Sequence, residues 1–358
     1  MSFVTGNKYK LSIFGTSHGK GVGVVIDSPP AGFALDMKNL KIFMAKRAPV
    51  STSLGTKRAE DDEFEILSGI SNGYTNGSPM CIFIKNKDAS PSDYDMERLV
   101  PRPSHADYVS YLKYGGFHDK SGGGHFSGRL TAPLAAAGAI ALQILKALGI
   151  SIYSHLYAVM DIQDVPFNSA GLSDIQALDS KKIPFIDDRL CSRLTDLIET
   201  LRTKNDSAGG TIETIILGLK PGIGAPMFDT VEGRLANMLF SVPGVRGVEF
   251  GSGFGCCKML GSEHNDPLAV KNGKLVTLTN NAAGINGGIT NGMPIIMRTA
   301  VKPAASIGVR QQSVDLKTLK DAQLVISGRH DPFIALRAVP VVSAAAAAVM
   351  LDLIMDNI

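Results

Sequence analysis

Two long segments of this chain are apolar on nearly every side of a predicted helix. They cover 133–148 (PLAAAGAIALQILKAL) and 340–355 (PVVSAAAAAVMLDLIM). A helix that is apolar all round must be covered all round, so neither segment suits the surface of the protein. Their many alanine and glycine residues also let neighbouring helices approach closely. Both segments are therefore predicted to be central helices.

Several short apolar runs are candidates for the layers that cover these helices. They read VGVVI, CIFI, TIETIILGL, GVEFG and PIIM. Runs of this length, rich in β-branched residues, predict strands. We predict an α+β fold, a β-α-β sandwich with sheets outside and the apolar helices at its centre. Segments 187–204 and 315–323 are predicted to be ordinary amphipathic helices.

An internal repeat supports two related halves. Residues 69–80 read GISNGYTNGSPM and residues 284–295 read GINGGITNGMPI, with seven of twelve positions identical. Each copy contains T-N-G-x-P, a turn signal, before an apolar strand. Upstream of the copies, Asp36 and Asp229 are predicted helix N-caps. We predict one domain over 1–358 with pseudo-twofold halves near 9–130 and 205–340; a chance match is the alternative.

Composition limits the classes of function. Of 358 residues, 44% are hydrophobic, which predicts a large core rather than disorder. A net charge of +3 and only 6% aromatic residues argue against a nucleic-acid partner. The four cysteines lack metal-site spacing, so no metal is expected. The chain shows no secretory signal, and the longest apolar run, 338–351, is too short for a membrane span, so a cytoplasmic protein is expected.

Two histidine motifs are candidates for proton transfer. GTSHG at 15–19 follows a predicted strand and would place Ser17 and His18 on a sharp turn. RPSHAD at 102–107 has the spacing of a capping box, which would put His105 in the first turn of a helix. There the helix dipole disfavours the imidazolium and a bound anion favours it. A turn histidine without a role and a plain capped helix are the alternatives.

Glycine-rich and arginine-rich motifs are candidates for anion binding. SGGGHFSGR at 121–129 leads into the first apolar helix, where backbone N–H groups and Arg129 would hold an anion. GRHDP at 328–332, followed by Arg337, combines two arginines with Asp331 as an internal base. The basic segment 46–58 would form a mobile lid. A flexible loop, a surface salt-bridge cluster and a solvated loop are the respective alternatives.

In this order, the motifs resemble those of the chorismate synthase family over nearly the whole chain. The resemblance rests on GTSHG, EILSGI with TNGSP, RPSHADY with KYGG, the glycine run, GGITNGMPI, KPAAS and GRHDPFIALRAVP. It implies a homotetrameric lyase of the shikimate pathway. The implied reaction is a 1,4-anti elimination of phosphate from 5-enolpyruvylshikimate 3-phosphate, which gives chorismate. Reduced FMN is required although there is no net redox change.

The resemblance also implies roles for individual residues. The catalytic groups would be His18 at the leaving phosphate, His105 near flavin N1, and Asp331, which assists flavin N5. The substrate would be held by Ser17, Arg47, Arg129 and Arg337, with NADPH proposed near Arg47. The flavin site would comprise His125, Phe126, Ser127, Pro243, Gly244, Gly287, Lys302, Pro303, Ala304, Ala305, Ser306 and Arg329.

The chain departs from the family pattern at several positions that bear on flavin and phosphate affinity. Thr16 stands where the family has glutamate, and Ser53 where it has arginine. In the glycine loop, arginine, serine and glutamate of the family pattern are replaced by His125, Phe126 and Leu130 in that order. Lys57 or His125 would compensate in part. The change at Ser53 favours a separate flavin reductase. A non-catalytic flavin- or anion-binding relative, and a flavin-dependent lyase for a related phosphate ester, are the alternative functions.

Overall fold

The computed structural model describes residues 3–48, 61–87, 99–119, 122–326 and 331–356; Ser53, Lys57 and Arg329 lie outside these ranges. Its helices are α1 (Met37–Arg47), α2 (Asp107–Lys113), α3 (Thr131–Ala147), α4 (Leu172–Ala177), α5 (Leu190–Thr203), α6 (Val231–Ser241), α7 (Gly261–His264) and α8 (Ala335–Asp356). Its strands are β1 (Val4–Thr5), β2 (Lys10–Gly15), β3 (Gly21–Asp27), β4 (Phe64–Ile66), β5 (Ile70–Ser71), β6 (Tyr74–Thr75), β7 (Met80–Lys85), β8 (Ser151–Val159), β9 (Ile162–Gln163), β10 (Gly210–Leu217), β11 (Val245–Phe250), β12 (Leu268–Lys271), β13 (Lys274–Thr277), β14 (Ile285–Asn286), β15 (Ile289–Thr290), β16 (Ile295–Val301), β17 (Gln311–Asp315) and β18 (Lys320–Leu324).

Two five-stranded sheets form the outer layers. The first has the order β1-β2-β3-β7-β4 and the second the order β11-β16-β10-β8-β9. Neighbouring strands in both are antiparallel; β3 and β7 pair from Gly21 with Lys85 to Ile26 with Met80. Helix α3 packs on the first sheet, α8 packs on the second, and the two helices pack on each other. The predicted α+β class and the β-α-β sandwich are confirmed.

The two central helices approach each other very closely at Gly138. A Cβ atom at this position would lie 2.3 Å from the carbonyl oxygen of Ala344 and 2.4 Å from its Cβ. Since that oxygen belongs to the backbone of α8, it cannot move aside as a side chain would. Glycine at this crossing is therefore a condition of the sandwich.

Helix α8 is longer than the sequence pattern predicted. It begins at Ala335 and has 22 residues, with Pro340 inside it. The predicted start at 340 is wrong because Pro340 lies just past the first turn, so its ring removes only one backbone bond. By length and composition, 335–356 and 128–147 are each long and apolar enough to cross a membrane. However, 83% and 78% of their most apolar windows are buried inside the protein, as in core helices.

The sequence repeat corresponds to a structural repeat. The first sheet contains the order β2-β3-β7-β4 and the second the matching order β8-β10-β16-β11. In the repeated turns, the hydroxyl of Thr75 accepts the N–H of Phe33 at 2.9 Å, and that of Thr290 accepts the N–H of Ile223 at 3.0 Å. Each hydroxyl also donates to a carbonyl of that same upstream segment, Thr75 to Pro30 and Thr290 to Lys220. The threonine of T-N-G-x-P therefore fastens the same turn in both halves.

The local predictions for helix ends differ in outcome. Asp36 caps α1 by accepting the N–H of Asn39 at 3.0 Å, which confirms that prediction. The prediction for Asp229 is wrong, because the cap of α6 is Thr230, whose hydroxyl accepts the N–H of Gly233. The helix predicted over 187–204 is confirmed as α5, Leu190–Thr203.

The helix predicted over 315–323 is wrong. The chain there forms the hairpin β17–β18. The carboxylate of Asp315 accepts the N–H groups of Lys317 and Thr318, both at 2.8 Å, which closes a turn directly after β17. Leu319 completes the turn with a φ of 55°. An aspartate that bonds its own following backbone favours such a turn over a helix.

A buried histidine in β8 joins β10 to the residue that follows β9. Nδ1 of His155 lies 2.9 Å from Asp164 and Nε2 lies 3.2 Å from Glu213, and all three side chains are buried. Since a carboxylate only accepts hydrogen bonds, both ring nitrogens donate and the ring is charged. Burial lowers the pKa of His155, but the two carboxylates outweigh it and raise the pKa above its ordinary value.

We expect the free energy of unfolding to fall as the pH rises through the raised pKa of His155. Below the ordinary histidine pKa of about 6.5 the ring is charged in both states, so the contribution is complete. Above that pH the unfolded state releases its proton first, so the contribution of His155 to the free energy of unfolding declines. It is lost once the pH exceeds the raised pKa of the folded state. Urea unfolding at about pH 6 and about pH 9 should show this loss in the wild type and a smaller one in His155→Gln. The same pH dependence in both proteins would contradict the prediction.

Candidate functional site

The turn after β2 brings Ser17 and His18 against the glycine loop. The N–H of Ser17 donates to the carbonyl of Gly124 at 3.2 Å, and the Ser17 hydroxyl lies 2.9 Å from Nδ1 of His18. Gly122 has a φ of 63°, and a Cβ atom there would lie 2.3 Å from Cε1 of His18. The imidazole therefore packs on backbone that only glycine leaves clear.

His105 lies in a side-chain cluster just before α2. Its Nδ1 is 2.6 Å from Oδ1 of Asp107, while Nε and Nη2 of Arg102 each donate to the same carboxylate at 2.7 Å. The carboxylate contact assigns the proton of a neutral ring to Nδ1, so Nε2 is the nitrogen left for a ligand. Burial raises the pKa of Asp107, but the hydrogen bonds from Arg102 and His105 outweigh it and hold that pKa well below its usual range.

The predicted capping box at Ser104 is wrong. Helix α2 begins at Asp107, and its N-cap, Ala106, makes no side-chain capping bond. Ser104 instead has a φ of 57°, and the Asp107 carboxylate turns back to Arg102. His105 therefore lies outside the helix, and the expected effect of the helix dipole on its charge does not apply. The bidentate arginine contact is stronger than a neutral cap, which explains the outcome.

The segment after β16 closes around this cluster. Nη1 of Arg102 donates to Ser306 Oγ at 3.1 Å, and Nζ of Lys302 donates to the carbonyl of Ser104 at 2.6 Å. The N–H of Lys302 donates to the carbonyl of Gly244 at 2.8 Å. Arg102 also reaches the glycine loop through the carbonyl of Gly122, at 2.7 Å. The predicted flavin residues gathered on this side are Pro243, Gly244, Lys302, Pro303, Ala304, Ala305 and Ser306.

A second cluster joins two of the predicted substrate arginines through one carboxylate. Nη1 of Arg47 donates to Oδ2 of Asp62 at 2.5 Å, and Nη1 of Arg129 donates to Oδ1 of the same side chain. Nε of Arg129 donates to Oδ1 of Asn86 at 2.9 Å. The Asn86 amide in turn donates to the carbonyls of Thr16 and Gly19 at 3.0 and 2.9 Å, which links this cluster to the turn that carries His18.

Sequence reasoning missed Asp62 and Asn86. The signals were weak: one aspartate within the acidic run EDDE at 60–63, after the basic segment, and an asparagine directly after the apolar strand MCIFIK. Both side chains are buried, as are those of Arg47 and Arg129. A buried polar side chain needs a partner, but the sequence does not reveal which one.

Asp331 and Arg337 extend the second cluster. Oδ2 of Asp331 accepts Nη1 of Arg337 at 3.1 Å, and Oδ1 accepts the N–H of Phe333 at 3.0 Å. Nε of Arg337 donates to the carbonyl of Arg47 at 3.3 Å. Burial lowers the pKa of Arg47 to about 10; Asp62 opposes this shift and Arg337 adds to it. The predicted pairing of Arg337 with Asp331 is therefore present, whereas the second arginine of that prediction, Arg329, lies outside the described residues.

His125 and Phe126 belong to an aromatic group beside the glycine loop. The His125 ring centroid lies 4.3 Å from that of Phe126 and 5.3 Å from that of Tyr114. Nε2 of His125 is buried and has no hydrogen-bond partner within the described parts of the chain. Ser127 accepts the N–H of Arg129 at 3.2 Å, so its hydroxyl positions the turn that carries this arginine.

Gly287 lies apart from these clusters. It is in the turn between β14 and β15, before β16, whereas Lys302 follows the other end of that strand. Seven strand residues span about 20 Å. Among the described residues, no contact joins Gly287 to the other predicted flavin residues, and its role stays a prediction.

The two clusters together form a basic site with proton-carrying groups. A small cavity of about 40 Å³ lies within it, lined in part by Arg102, His105, Gly122 and Phe126. A larger cavity, of about 540 Å³, lies beside α1, α8 and β8 and shares Arg337 with the clusters. We assign the chemistry to the clusters, because several guanidinium groups, two histidines and Asp331 suit a polyanionic substrate that exchanges protons.

Comparison with known proteins points to one family. The family model described as chorismate synthase matches residues 9–355. A chorismate synthase of Korarchaeum cryptofilum is 42% identical over 354 residues, which are 99% of this chain and 98% of that protein. A chorismate synthase of Pyrococcus abyssi is 41% identical over 348 residues, 97% of this chain and 96% of that protein. A crystal structure of chorismate synthase matches with a TM-score of 0.77 at 25% identity, over 99% of this chain and 93% of that one.

Proposed function

The chain belongs to the chorismate synthase family, and on that basis we propose how its own residues carry out the reaction of the family. It is a carbon–oxygen lyase of aromatic amino acid biosynthesis that converts 5-enolpyruvylshikimate 3-phosphate into chorismate and phosphate. The observation that supports the residue roles is the meeting of His18, Arg102 and His105 at the glycine loop. A chain of contacts through Asn86 and Arg129 continues from there to Asp331.

The arginine cluster binds the substrate. The substrate carries two carboxylates and a phosphate, and Arg47, Arg129 and Arg337 lie together around the carboxylates of Asp62 and Asp331. Planar guanidinium groups hold such anions through paired hydrogen bonds. Ser17 adds a hydroxyl donor at the turn. The phosphate end then lies at His18, which donates a proton to the departing phosphate.

The residues near His105 fit a flavin mononucleotide. Among the described residues, the buried Nε2 of His125 has no hydrogen-bond partner. Cβ atoms at Gly122 and Gly123 would contact His18 and Ser127, so this surface depends on bare backbone. Lys302 supplies positive charge for the phosphate. The cavity of about 40 Å³ is far smaller than a flavin, so it does not by itself hold the cofactor. Arg329 and Gly287 are the remaining predicted flavin residues.

The catalytic residues act around the cofactor. Bound reduced FMN would supply electron density and a basic site for the C6 proton of the substrate. Because Asp107 holds Nδ1 of His105, Nε2 would be the ring nitrogen available to a bound flavin. Asp331, oriented by the Phe333 N–H and by Arg337, assists the movement of the C6 proton. Each proton-transfer group typically contributes about 10²–10⁴-fold to the rate.

The assembly, compartment and electron source belong to the same proposal. The resemblance to the family supports a homotetramer, and four cysteines that are all free thiols support a reduced cytoplasm. Serine at position 53, where the family has arginine, supports a separate flavin reductase rather than direct use of NADPH. Sedimentation of the purified protein measures its oligomeric state. Anaerobic NADPH oxidation in the presence of FMN measures whether the protein reduces its own flavin.

An anaerobic assay tests the proposed function. Protein, photoreduced FMN and 5-enolpyruvylshikimate 3-phosphate should give chorismate and phosphate in equal amounts, and oxidised FMN should give neither. Flavin binding without turnover at any FMN concentration would indicate a non-catalytic relative. Turnover of a related phosphate ester alone would indicate a lyase of different specificity.

A further inference from the structure

Asp62 is buried between two arginines and has no role in the reaction described above. Its side chain is fully shielded from solvent, and those of Arg47 and Arg129 are 4% and 7% exposed. Each of its carboxylate oxygens accepts a different guanidinium, and its backbone φ is 49°, which is unfavourable for a residue with a side chain. Such a conformation persists only where the surrounding contacts enforce it.

The two guanidinium groups are anchored independently of Asp62. Nη2 of Arg47 donates to the carbonyl of Gly128 at 3.0 Å, and Nε donates to Thr131 at 3.3 Å. Nε and Nη2 of Arg129 donate to Asn86 and to the carbonyl of Lys85. These anchors leave one Nη1 from each arginine pointing at the same place. The pair thus forms a seat for one oxyanion, and the Asp62 carboxylate occupies it.

The charge balance explains why an internal carboxylate is needed. Two guanidinium groups that share one seat repel each other, and burial strengthens this repulsion because little water screens it. Removing one partner of a buried ion pair leaves an uncompensated charge, which is strongly destabilising. Asp62 places one negative charge between the two positive charges of Arg47 and Arg129.

We infer that Asp62 is a positioning residue whose carboxylate acts as an internal oxyanion and holds Arg47 and Arg129 in the geometry that receives the substrate. The inference rests on the proposed role of these two arginines in substrate binding. The seat itself is a property of the folded protein without substrate. It is therefore testable without measuring turnover.

The first test is thermal unfolding of Asp62→Asn with and without inorganic phosphate. The variant should melt below the wild type in a buffer free of oxyanions, because asparagine cannot neutralise the pair. Phosphate should then raise its melting temperature much more than that of the wild type, because the vacated seat binds an oxyanion and ligand binding stabilises the folded state. An equal response to phosphate in the variant and the wild type would overturn the inference.

Asp61→Asn is the matched control. Asp61 is the adjacent residue with the same side chain, but it is exposed and pairs with Lys87 at 3.1 Å. Its replacement should leave both the melting temperature and the phosphate response at wild-type values. If Asp62→Asn does not fold, the double variant Asp62→Asn with Arg129→Gln, which restores the charge balance, should fold and melt higher than the single variant. A double variant no more stable than the single one would also overturn the inference.

A kinetic test separates this inference from the proposed function. In Asp62→Asn, kcat should fall and inorganic phosphate should inhibit at about tenfold lower concentration, because an extra positive charge faces the anion. Asp61→Asn should match the wild type. An inactive wild type whose Asp62→Asn variant is stabilised by phosphate would refute the proposed function alone. An active wild type with unchanged phosphate inhibition in Asp62→Asn would refute the inference alone.

Discussion

Replacing His18 with alanine is expected to lower kcat by about 10²–10⁴-fold, which is the usual contribution of a positioned proton donor. His18 lies on the turn after β2, where its Nδ1 is 2.9 Å from Ser17 and its ring packs on Gly122. Departure of an unprotonated phosphate from the substrate is slow, so loss of the donor acts on the chemical step. Substrate binding through Arg47, Arg129 and Arg337 would remain, and KM should change little.

Steady-state kinetics under anaerobic conditions, with reduced FMN in excess, measure this effect. His264→Gln is the control, because His264 lies in α7, bonded to Ser252, and belongs to neither cluster. It should retain wild-type kcat. A rise in KM with unchanged kcat for His18→Ala would mean that His18 only binds the substrate, and the proposed donor role would then be wrong.

Replacing Gly138 with alanine is expected to lower the free energy of unfolding by about 2–3 kcal/mol. In most helices the same change stabilises by about 1 kcal/mol, because glycine is a poor helix former. Here the new Cβ atom would lie 2.3 Å from the carbonyl oxygen of Ala344, so α3 and α8 would have to separate. The expected sign is therefore opposite to the one that helix propensity predicts.

Urea unfolding of Gly138→Ala and Gly261→Ala measures this difference. Gly261 begins α7, and a Cβ atom there would have no neighbour within 4 Å. Gly261→Ala should be as stable as the wild type or slightly more stable. If Gly138→Ala matched it, the close crossing of the central helices would not be a condition of the fold.

Much of the architecture could be predicted from the sequence because the helices of the core are unusual. A helix such as 133–148 has no polar side to expose, so a central position between sheets is the arrangement that covers it. The repeated T-N-G-x-P turns also predicted related halves, and the matching bonds of Thr75 and Thr290 agree. The extent of the single domain and of its halves stays a prediction.

Local predictions failed where a side chain had two possible partners. Asp315 and Asp107 both stand in patterns typical of helix starts. Asp315 instead closes a hairpin turn with its own following backbone, and Asp107 bonds Arg102. The spacing of residues does not show whether such an aspartate caps a helix or bonds another nearby group, because either arrangement gives its carboxylate hydrogen-bond donors.

The sequence by itself determined which chemical groups this protein brings to its site: the histidines, the arginines, Asp331 and the glycine-rich backbone. Only the tertiary structure decided how they are paired. Asp62 meets Arg129 from 67 residues away, and Arg102 meets Ser306 from 204 residues away. Periodicity and turn signals report contacts within a few residues, whereas these pairs exist because the sandwich brings distant loops to one edge. The carboxylate that holds two arginines together is therefore visible only in the folded chain.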